Sequence, residues 1–477
     1  LSFYDSLKVT QSTILNPTKI SKTLIEGEPI ISIANQKDGT LWLGSVDNGI
    51  VEINKGTTYY HRKNQSDRWS WLNNNIFILY ADPNDNIWIG TNSGLSIYKK
   101  AYNLFKLYRQ NDNFNSLSSS KVYDIYEDRS GSIWFVNYDG TLDRLKDEVF
   151  TTYQPNIKSI GGNIRIRSIH QAKNGTFFTG TNENGLFEFN PESGDFKRLS
   201  NPGIPLPQIK KIIDYDTDQL LIAYGRGLAT YNYKTKNYKV YQLEVDVAAY
   251  DLYLKNNILW VATFGNGLYK IKLGEEWSLE NYRHSNQPNA ISSNNVMSIV
   301  PISKDTLALG TYGGGISLFD MNTGTALNYA EEDGLGNNSV YGIIPDSKGN
   351  LWLSTNKGIS KWYANRIKIK NYDLPIQLQS LEFNEDAFLK SSTGIYYFGG
   401  VNGVNFFKPE EIIVNTHTPL AIISHFKAND TEKDFHNSTV QNKPLRLKSE
   451  ENYIQIYFKA MRFAVPEKTR FYYKLDG

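Results

Sequence analysis

Gly39-Thr-Leu-Trp-Leu-Gly-Ser-Val-Asp-Asn-Gly-Ile50 is the stretch that decides how this chain folds. Its central residues alternate, with Leu41 and Leu43 to one side and Trp42 and Gly44 to the other, and both sides are apolar. A strand with two greasy faces must be covered on both. The Asp-Asn-Gly that follows is turn chemistry, so the strand is short and reverses. The stretch then recurs. Asn86-Ile-Trp-Ile-Gly-Thr-Asn-Ser-Gly-Leu95 is a second copy and Gly131-Ser-Ile-Trp-Phe-Val-Asn-Tyr-Asp-Gly140 a third, and others begin at Gly175, Gln219, Asn257, Asp305, Gly349 and Thr393. The residue two after the aromatic serves as a ruler: Gly44, Gly90, Val136, Gly180, Ala223, Ala262, Gly310, Ser354 and Gly399. Repeats of roughly 40–50 residues without a helical period read as four-stranded blades of a β-propeller.

Composition agrees. Tyr (32), Phe (23) and Gly (36) favour strands punctuated by turns. A formal net charge of +2 on 477 residues gives no polybasic footprint for nucleic acid. There is no Cys, hence no disulfide, thiol catalysis or thiolate metal site. No apolar run reaches the roughly 18 residues of a membrane span. The chain opens on Leu1 rather than Met, and it reads as a mature or excised piece of something longer.

Within a repeat, Val122–Tyr126 reads as an inner strand, Asp128–Gly131 as a tight turn and Ser132–Val136 as a second strand. The aromatic position holds Trp42, Trp88, Trp134, Phe178, Leu221, Trp260, Ala308, Trp352 and Tyr397, read as interblade core rather than sugar platforms. Gly403-Val-Asn-Phe-Phe407 runs into Lys408-Pro409-Glu410-Glu411 with no outer strand after it. A closed ring needs that strand from elsewhere, and Leu104–Tyr108 has the length and pattern to supply it. Residues 103–410 then hold seven repeats of about 44 residues each. The expected division is residues 1–102 as the last blades of a preceding truncated propeller, 103–413 as a seven-bladed propeller, and 414–477 as the start of an Ig-like sandwich. One ring of nine blades is the other arrangement the count allows. The first division counts Leu1–Val9 and Lys19–Ile25 as remnants of an earlier blade. The last rests on Pro419–Phe426, Leu445–Leu447, Tyr453–Phe458 and Phe471–Leu475.

The blade motif Gly-x-Leu/Ile-Trp-Ile/Leu-Gly-Thr-x-x-Gly-Leu resembles the repeat of regulator propellers. These are the periplasmic sensor regions of bacterial two-component regulators, especially the hybrid kind of glycan-degrading gut bacteria. Leu381–Asn384, Gly394–Gly403 and Phe407–Glu410 resemble that family's terminal blade, and Arg470–Gly477 its triple-tyrosine domain. The resemblance implies two seven-bladed propellers, a sandwich, a membrane span outside this sequence and a cytoplasmic kinase or regulator. It also implies a periplasmic location, a self-associating, dimeric sensor and an oligosaccharide ligand.

Strand polarity puts the loop between second and third strands at the same end as the start of the inner strand. Candidate ligand residues at that end are Asn137, Tyr138, Asp139, Asn182, Glu183, Tyr224, Arg226, Phe264, Asn266 and Tyr312. Amides, hydroxyls and aromatic faces can bond and stack on sugar rings, although Asn and Gly are also simply good turn formers. Arg165, Arg167 and Lys210 open neighbouring inner strands, while Asp214, Asp216 and Asp218 gather at the far end of theirs. That charge separation points to an anionic oligosaccharide, a uronate or a sulfated sugar. No cofactor or metal is expected: the six His lack metal spacing, no calcium loop is present, and Gly313–Gly315 is a turn rather than a phosphate cradle. The turns Gln36–Gly39, Asp128–Gly131 and Asp346–Gly349 look like sialidase Asp-boxes but fail in spacing and read as hairpin turns. The competing class is a propeller glycoside hydrolase or polysaccharide lyase, whose paired acids would be Asp139 and Glu183. No catalytic constellation is recognisable around them, so a non-enzymatic sensor is the expectation.

Overall fold

The structure is a computed structural model that describes residues 29–54, 56–63, 71–83, 85–98, 105–110, 115–155, 164–199, 206–241, 243, 247–373, 378–412, 421–433 and 446–460. Each repeat forms an antiparallel sheet in sequence order, joined by tight hairpins. The repeat's own chemistry explains the hairpins. In the third sheet the Asp128 carboxylate accepts the backbone N–H of Ser130 at 2.8 Å and of Ser132 at 3.0 Å, closing the turn. Its other oxygen accepts the indole N–H of Trp134 at 2.8 Å. Trp88 donates likewise to Asp82 and Trp352 to Asp346, while Trp42 donates to Gln36. The turn residue therefore satisfies the polar atom that an interblade tryptophan would otherwise bury unpaired. Trp42, Trp134 and Trp352 have no exposed surface, and the core reading of these aromatics holds.

The sheets pack face to face through separate apolar clusters, and the order of the clusters closes a ring. One cluster joins the third sheet to the fourth through Trp134, Ile169 and Phe177. The fourth meets the fifth through Phe178 and Ile212, and the fifth meets the sixth through Leu221 and Leu252. Trp260 and Phe319 link sixth and seventh, and Ile316 and Leu353 link seventh and eighth. Trp352 and Phe398 link eighth and ninth. The last cluster sets Val122, Ile125 and Phe135 of the third sheet against Ala387, Tyr397 and Val404 of the ninth, so this cycle of seven sheets returns to its start.

The expected closing strand is in place. Lys106–Tyr108 pairs antiparallel with Gly403–Phe407, in the register Val404↔Tyr108, Asn405↔Leu107 and Phe406↔Lys106. Phe105 packs edge-on against Tyr372 and Phe407 in the cluster between the eighth and ninth sheets. The second sheet, Ile76–Ala81, Ile87–Thr91 and Gly94–Tyr98, correspondingly has three strands among the described residues. It packs on the first sheet through Trp42, Ile76 and Leu79. Leu1–Val9 and Lys19–Ile25 lie outside the described residues.

Beyond the ring, Ala421–Ala428, Thr431–Glu432 and Ile454–Ala460 form one antiparallel sheet. Arg446 and Leu447 are in no strand, and Phe471–Leu475 and Arg470–Gly477 lie outside the described residues. Among the described residues no helix is long and apolar enough to cross a membrane.

Candidate functional site

Six of the seven innermost strands of the ring carry an irregularity at the same place, near the start of the strand. Val122 and Asp124 pair with Asn137 and Val136 of the next strand, so Tyr123 between them is left unpaired. The same one-residue bulge frees Arg167, Tyr250, Met297 and Tyr341. Lys210 holds the place just before the ladder that begins at Lys211. In the ninth sheet the break is wider: the register passes from Phe383↔Gly400 to Phe388↔Phe398, and Glu385 falls within it. A bulge re-aims a side chain out of the alternation of its strand. Here it brings Tyr123, Arg167, Tyr250 and Glu385 toward one another and toward Lys210.

Contacts between sheets that are not neighbours establish that convergence. Arg167 of the fourth sheet and Lys210 of the fifth both donate to the same oxygen, Oε1, of Glu385 in the ninth. The Lys210 Nζ lies 2.7 Å from it. The two cations are nearly shut from solvent, at 7% and 8% side-chain exposure, whereas Glu385 is 21% exposed. Each also rests on a ring: the Arg167 guanidinium is 3.9 Å from the Tyr123 centroid, and the Lys210 ammonium 4.2 Å from that of Tyr250. Such stacking on aromatic faces contributes about 0.5–2 kcal/mol. Burial works against ionising the Glu385 carboxyl, but Lys210 and Arg167 outweigh it and hold it below the usual range. Burial, with the neighbouring Arg167, likewise lowers Lys210, against the pull of Glu385.

One residue further along the inner strands lies a second axial layer. Lys211 faces Asp251 at 3.9 Å, and Asp124 and Asp386 act on it electrostatically. Asp251 also caps the neighbouring strand, accepting the N–H of Ile299 at 2.9 Å. Burial pushes Asp386 up to about 8, with Lys211 opposing and Glu385 adding to the rise. The expectation that acids stay away from this mouth is therefore corrected. Asp216 and Asp218 are distant turn residues, and Asp214 sits 3.4 Å from His170, yet four carboxylates of the inner strands line the axis beside the cations.

Around the axis, the loops between second and third strands form a rim, as strand polarity required: the N–H of Tyr138 donates to the carbonyl of Lys121 at the start of the inner strand. Tyr138 is 40% exposed, with the Lys121 ammonium 4.5 Å and the Arg165 guanidinium 5.7 Å from its centroid. On the rim of the sixth and seventh sheets stand Phe264 and Tyr312, 44% and 46% exposed, their centroids 6.4 Å apart. Phe264 in turn stacks on Tyr250 at 5.7 Å. Arg165, Glu183 and Arg226 are exposed at the same end, and Asn182 and Asn266 are half-buried.

Three of the residues chosen from sequence serve the fold instead. Asn137 is fully buried, and its amide nitrogen reaches Ser118 Oγ, Thr141 Oγ1 and Asp143 Oδ2 within 3.0 Å. Asp139 spends its Oδ1 on the N–H and hydroxyl of Thr141, within its own turn. Tyr224 is 5% exposed and packs among Leu206, Ile209 and Ile222. Sequence reasoning missed Tyr123, Tyr250 and Glu385. The signal was present, because each stands at nearly the same distance before its ruler residue as Arg167 does before Gly180. Among the described residues no group of His, Asp and Glu is arranged to hold a metal.

The two-component regulator propeller repeat matches residues 70–93, 116–139 and 334–357. Histidine kinase P4 of Formosa agariphila is 26% identical over 217 residues, covering 43% of this chain and 16% of the kinase. The fold is similar to the extracellular domain of a hybrid two-component system from B. thetaiotaomicron, with a TM-score of 0.52 and 20% identity over 90% of this chain and 56% of that one. PorZ of Porphyromonas gingivalis, a surface component of a type-IX secretion system, has a similar fold at TM-score 0.50 and 14% identity, covering 91% of this chain and 70% of its own. The chain thus spans 16% of the kinase and 56% of the sensor domain. The second, third and eighth sheets of this chain thus carry the two-component regulator propeller repeat.

Proposed function

We propose that this region is the ligand-sensing part of a two-component signalling protein, located in the periplasm, and that it binds an oligosaccharide at the rim and axial mouth of the ring. The carrying observation is the set of exposed aromatics Tyr138, Phe264 and Tyr312 on loops of the closed cycle of sheets, with Arg165 beside Tyr138. Exposed aromatic faces stack on the apolar faces of sugar rings, and half-buried amides such as Asn182 and Asn266 select hydroxyls. The cations favour a uronate or sulfated sugar over a neutral one. On this reading a dimer of such sensors relays binding through a membrane span to a cytoplasmic kinase or regulator outside this sequence.

A hydrolase or lyase at the same mouth is less well supported, because the Asp139 carboxylate is engaged by its own turn. Titration of neutral and acidic oligosaccharides by calorimetry tests the sensor, and incubation with the same panel tests for turnover. Saturable binding without product supports the proposal. Binding accompanied by cleavage defeats it.

A further inference from the structure

The Arg167–Lys210–Glu385 triad is built as though one partner could be exchanged. Both cations converge on a single oxygen of Glu385, and Oε2 receives no hydrogen bond from a described residue. Two cations that share one carboxylate oxygen are under-used as donors, since a guanidinium alone can grip two oxygens of an anion. Each cation has a second support besides Glu385, because Tyr123 and Tyr250 lie beneath them as shelves. Solvent, moreover, reaches the carboxylate rather than the cations. Glu385 also belongs to the stretch of the ninth inner strand, Asn384–Ala387, that has no ladder partner in Tyr396–Gly400. The group at the centre of the mouth is thus the most exposed of the three and stands on the longest stretch of inner strand without a ladder partner.

We propose that Glu385 is a tethered stand-in for the anionic group of the ligand. A carboxylate or sulfate of an acidic oligosaccharide enters along the axis, takes the two cations, and displaces the Glu385 side chain. The exchange trades a carboxylate held through one oxygen for an anionic group that can offer a separate oxygen to each cation, so both cations keep an anionic partner in either state. This deepens the sensor reading and rests on it, because it names the group at the mouth that the ligand replaces.

The test compares wild type, Glu385→Gln and the double variant Glu385→Gln/Lys210→Met, using inorganic sulfate, tetragalacturonate and neutral cellotetraose as probes at low salt. Glu385→Gln should bind tetragalacturonate about tenfold or more tighter than wild type, as expected when a charge-assisted competitor is removed. It should also show a larger sulfate-dependent rise in melting temperature. The double variant should lose both gains, and the response to cellotetraose should not change. Should Glu385→Gln fold poorly because two cations are left unpaired, millimolar sulfate should restore it. Glu385→Asp, with its carboxylate drawn back by one methylene, should then show a smaller gain. Equal or weaker anion binding by Glu385→Gln, or no rescue by sulfate, overturns the proposal. If neutral sugars still bind the rim in that case, the sensor reading survives without it. A sulfate gain with no oligosaccharide bound would keep the axial site and remove the sugar.

Discussion

Tyr108 and Phe406 lie face to face, their ring centroids 4.2 Å apart and their planes 11° from parallel. One ends the strand that enters the ring, and the other sits in the strand beside it in the last sheet. The carbonyl of Tyr108 also lies where a side chain on Gly403 would start, 2.2 Å from an added Cβ. In the sixth, seventh and eighth sheets the carbonyls of Tyr282, Tyr329 and Tyr372 meet Gly267, Gly315 and Gly358 in the same way. Lys106–Tyr108 is therefore a fourth strand in full register, not an accidental neighbour.

Gly403→Ala should accordingly destabilise the ring by about 3 kcal/mol, since φ is +118° there and the carbonyl blocks the new methyl. Gly394→Ala, also at positive φ but facing open space, should cost about 1 kcal/mol. Urea unfolding of the two variants gives the comparison. Equal losses would mean that the closing strand does not hold Gly403.

Removal of Trp134, Trp260 or Trp352 to Ala should cost roughly 3–5 kcal/mol each. Asp128→Ala should cost about 1–3 kcal/mol, because the indole N–H of Trp134 then loses its acceptor in the core. Melting temperatures should fall with ligand affinity unchanged. A variant that melts like wild type but no longer binds would make that tryptophan a ligand platform.

Asn137 and Tyr138 are adjacent and should behave in opposite ways. Asn137→Ala strips a buried partner from Asp143 and should lower stability by about 1–3 kcal/mol. Tyr138→Ala, like Phe264→Ala and Tyr312→Ala, should change stability by no more than about 0.5 kcal/mol and weaken sugar binding about tenfold. Calorimetry paired with thermal melts separates the two effects.

The Arg165→Ala/Arg226→Ala variant should bind acidic oligosaccharides more weakly than wild type, with a smaller dependence on salt. Both arginines are exposed at the rim, where screening acts over about 10 Å at 0.1 M salt. Tight binding of a neutral sugar that ignores salt and both substitutions would rule out anion recognition at the rim.

Asp386 makes stability depend on pH. Its folded value, about 8, lies well above the ordinary carboxyl value, so the native state holds a proton that the unfolded chain has released. This contribution is fully present below the unfolded pKa of about 4 and is lost as pH rises toward about 8. Asp386→Asn should flatten that decline and raise the melting temperature at pH 8. Asn suits the position, where φ is +59°. Glu385 acts in the opposite sense, with its stabilisation lost as pH falls below the ordinary carboxylate range. An unchanged pH dependence in Asp386→Asn would show that the carboxyl is already ionised in the folded protein.

Repetition made the sheets, the buried tryptophans and the closing strand legible, because each follows from local patterning or from a missing neighbour. The rim was legible in part: Tyr138, Phe264 and Tyr312 are where turn position put them. Asn137 was misread because a polar residue beside a Gly turn looks like a loop residue, whereas its amide is consumed by Ser118, Thr141 and Asp143 below the surface. Glu385 was not found because its partners are 218 and 175 positions away in the chain. Charge clustering along a sequence cannot show that three sheets each point one side chain at a common place.

The ninth sheet combines two features that the others do not. Its order is Phe383–Lys390, Tyr396–Gly400, Gly403–Phe407, then Lys106–Tyr108, so it runs from the axial carboxylate to the strand by which the chain arrives. The strand by which the chain leaves the ring is the third of the four. Entry and departure thus share one wall, and Glu385 stands at the inner edge of that wall. A tilt of this single sheet, set off at its inner edge, would swing the segments on both sides of the ring together, as a lever with its short arm at the axis.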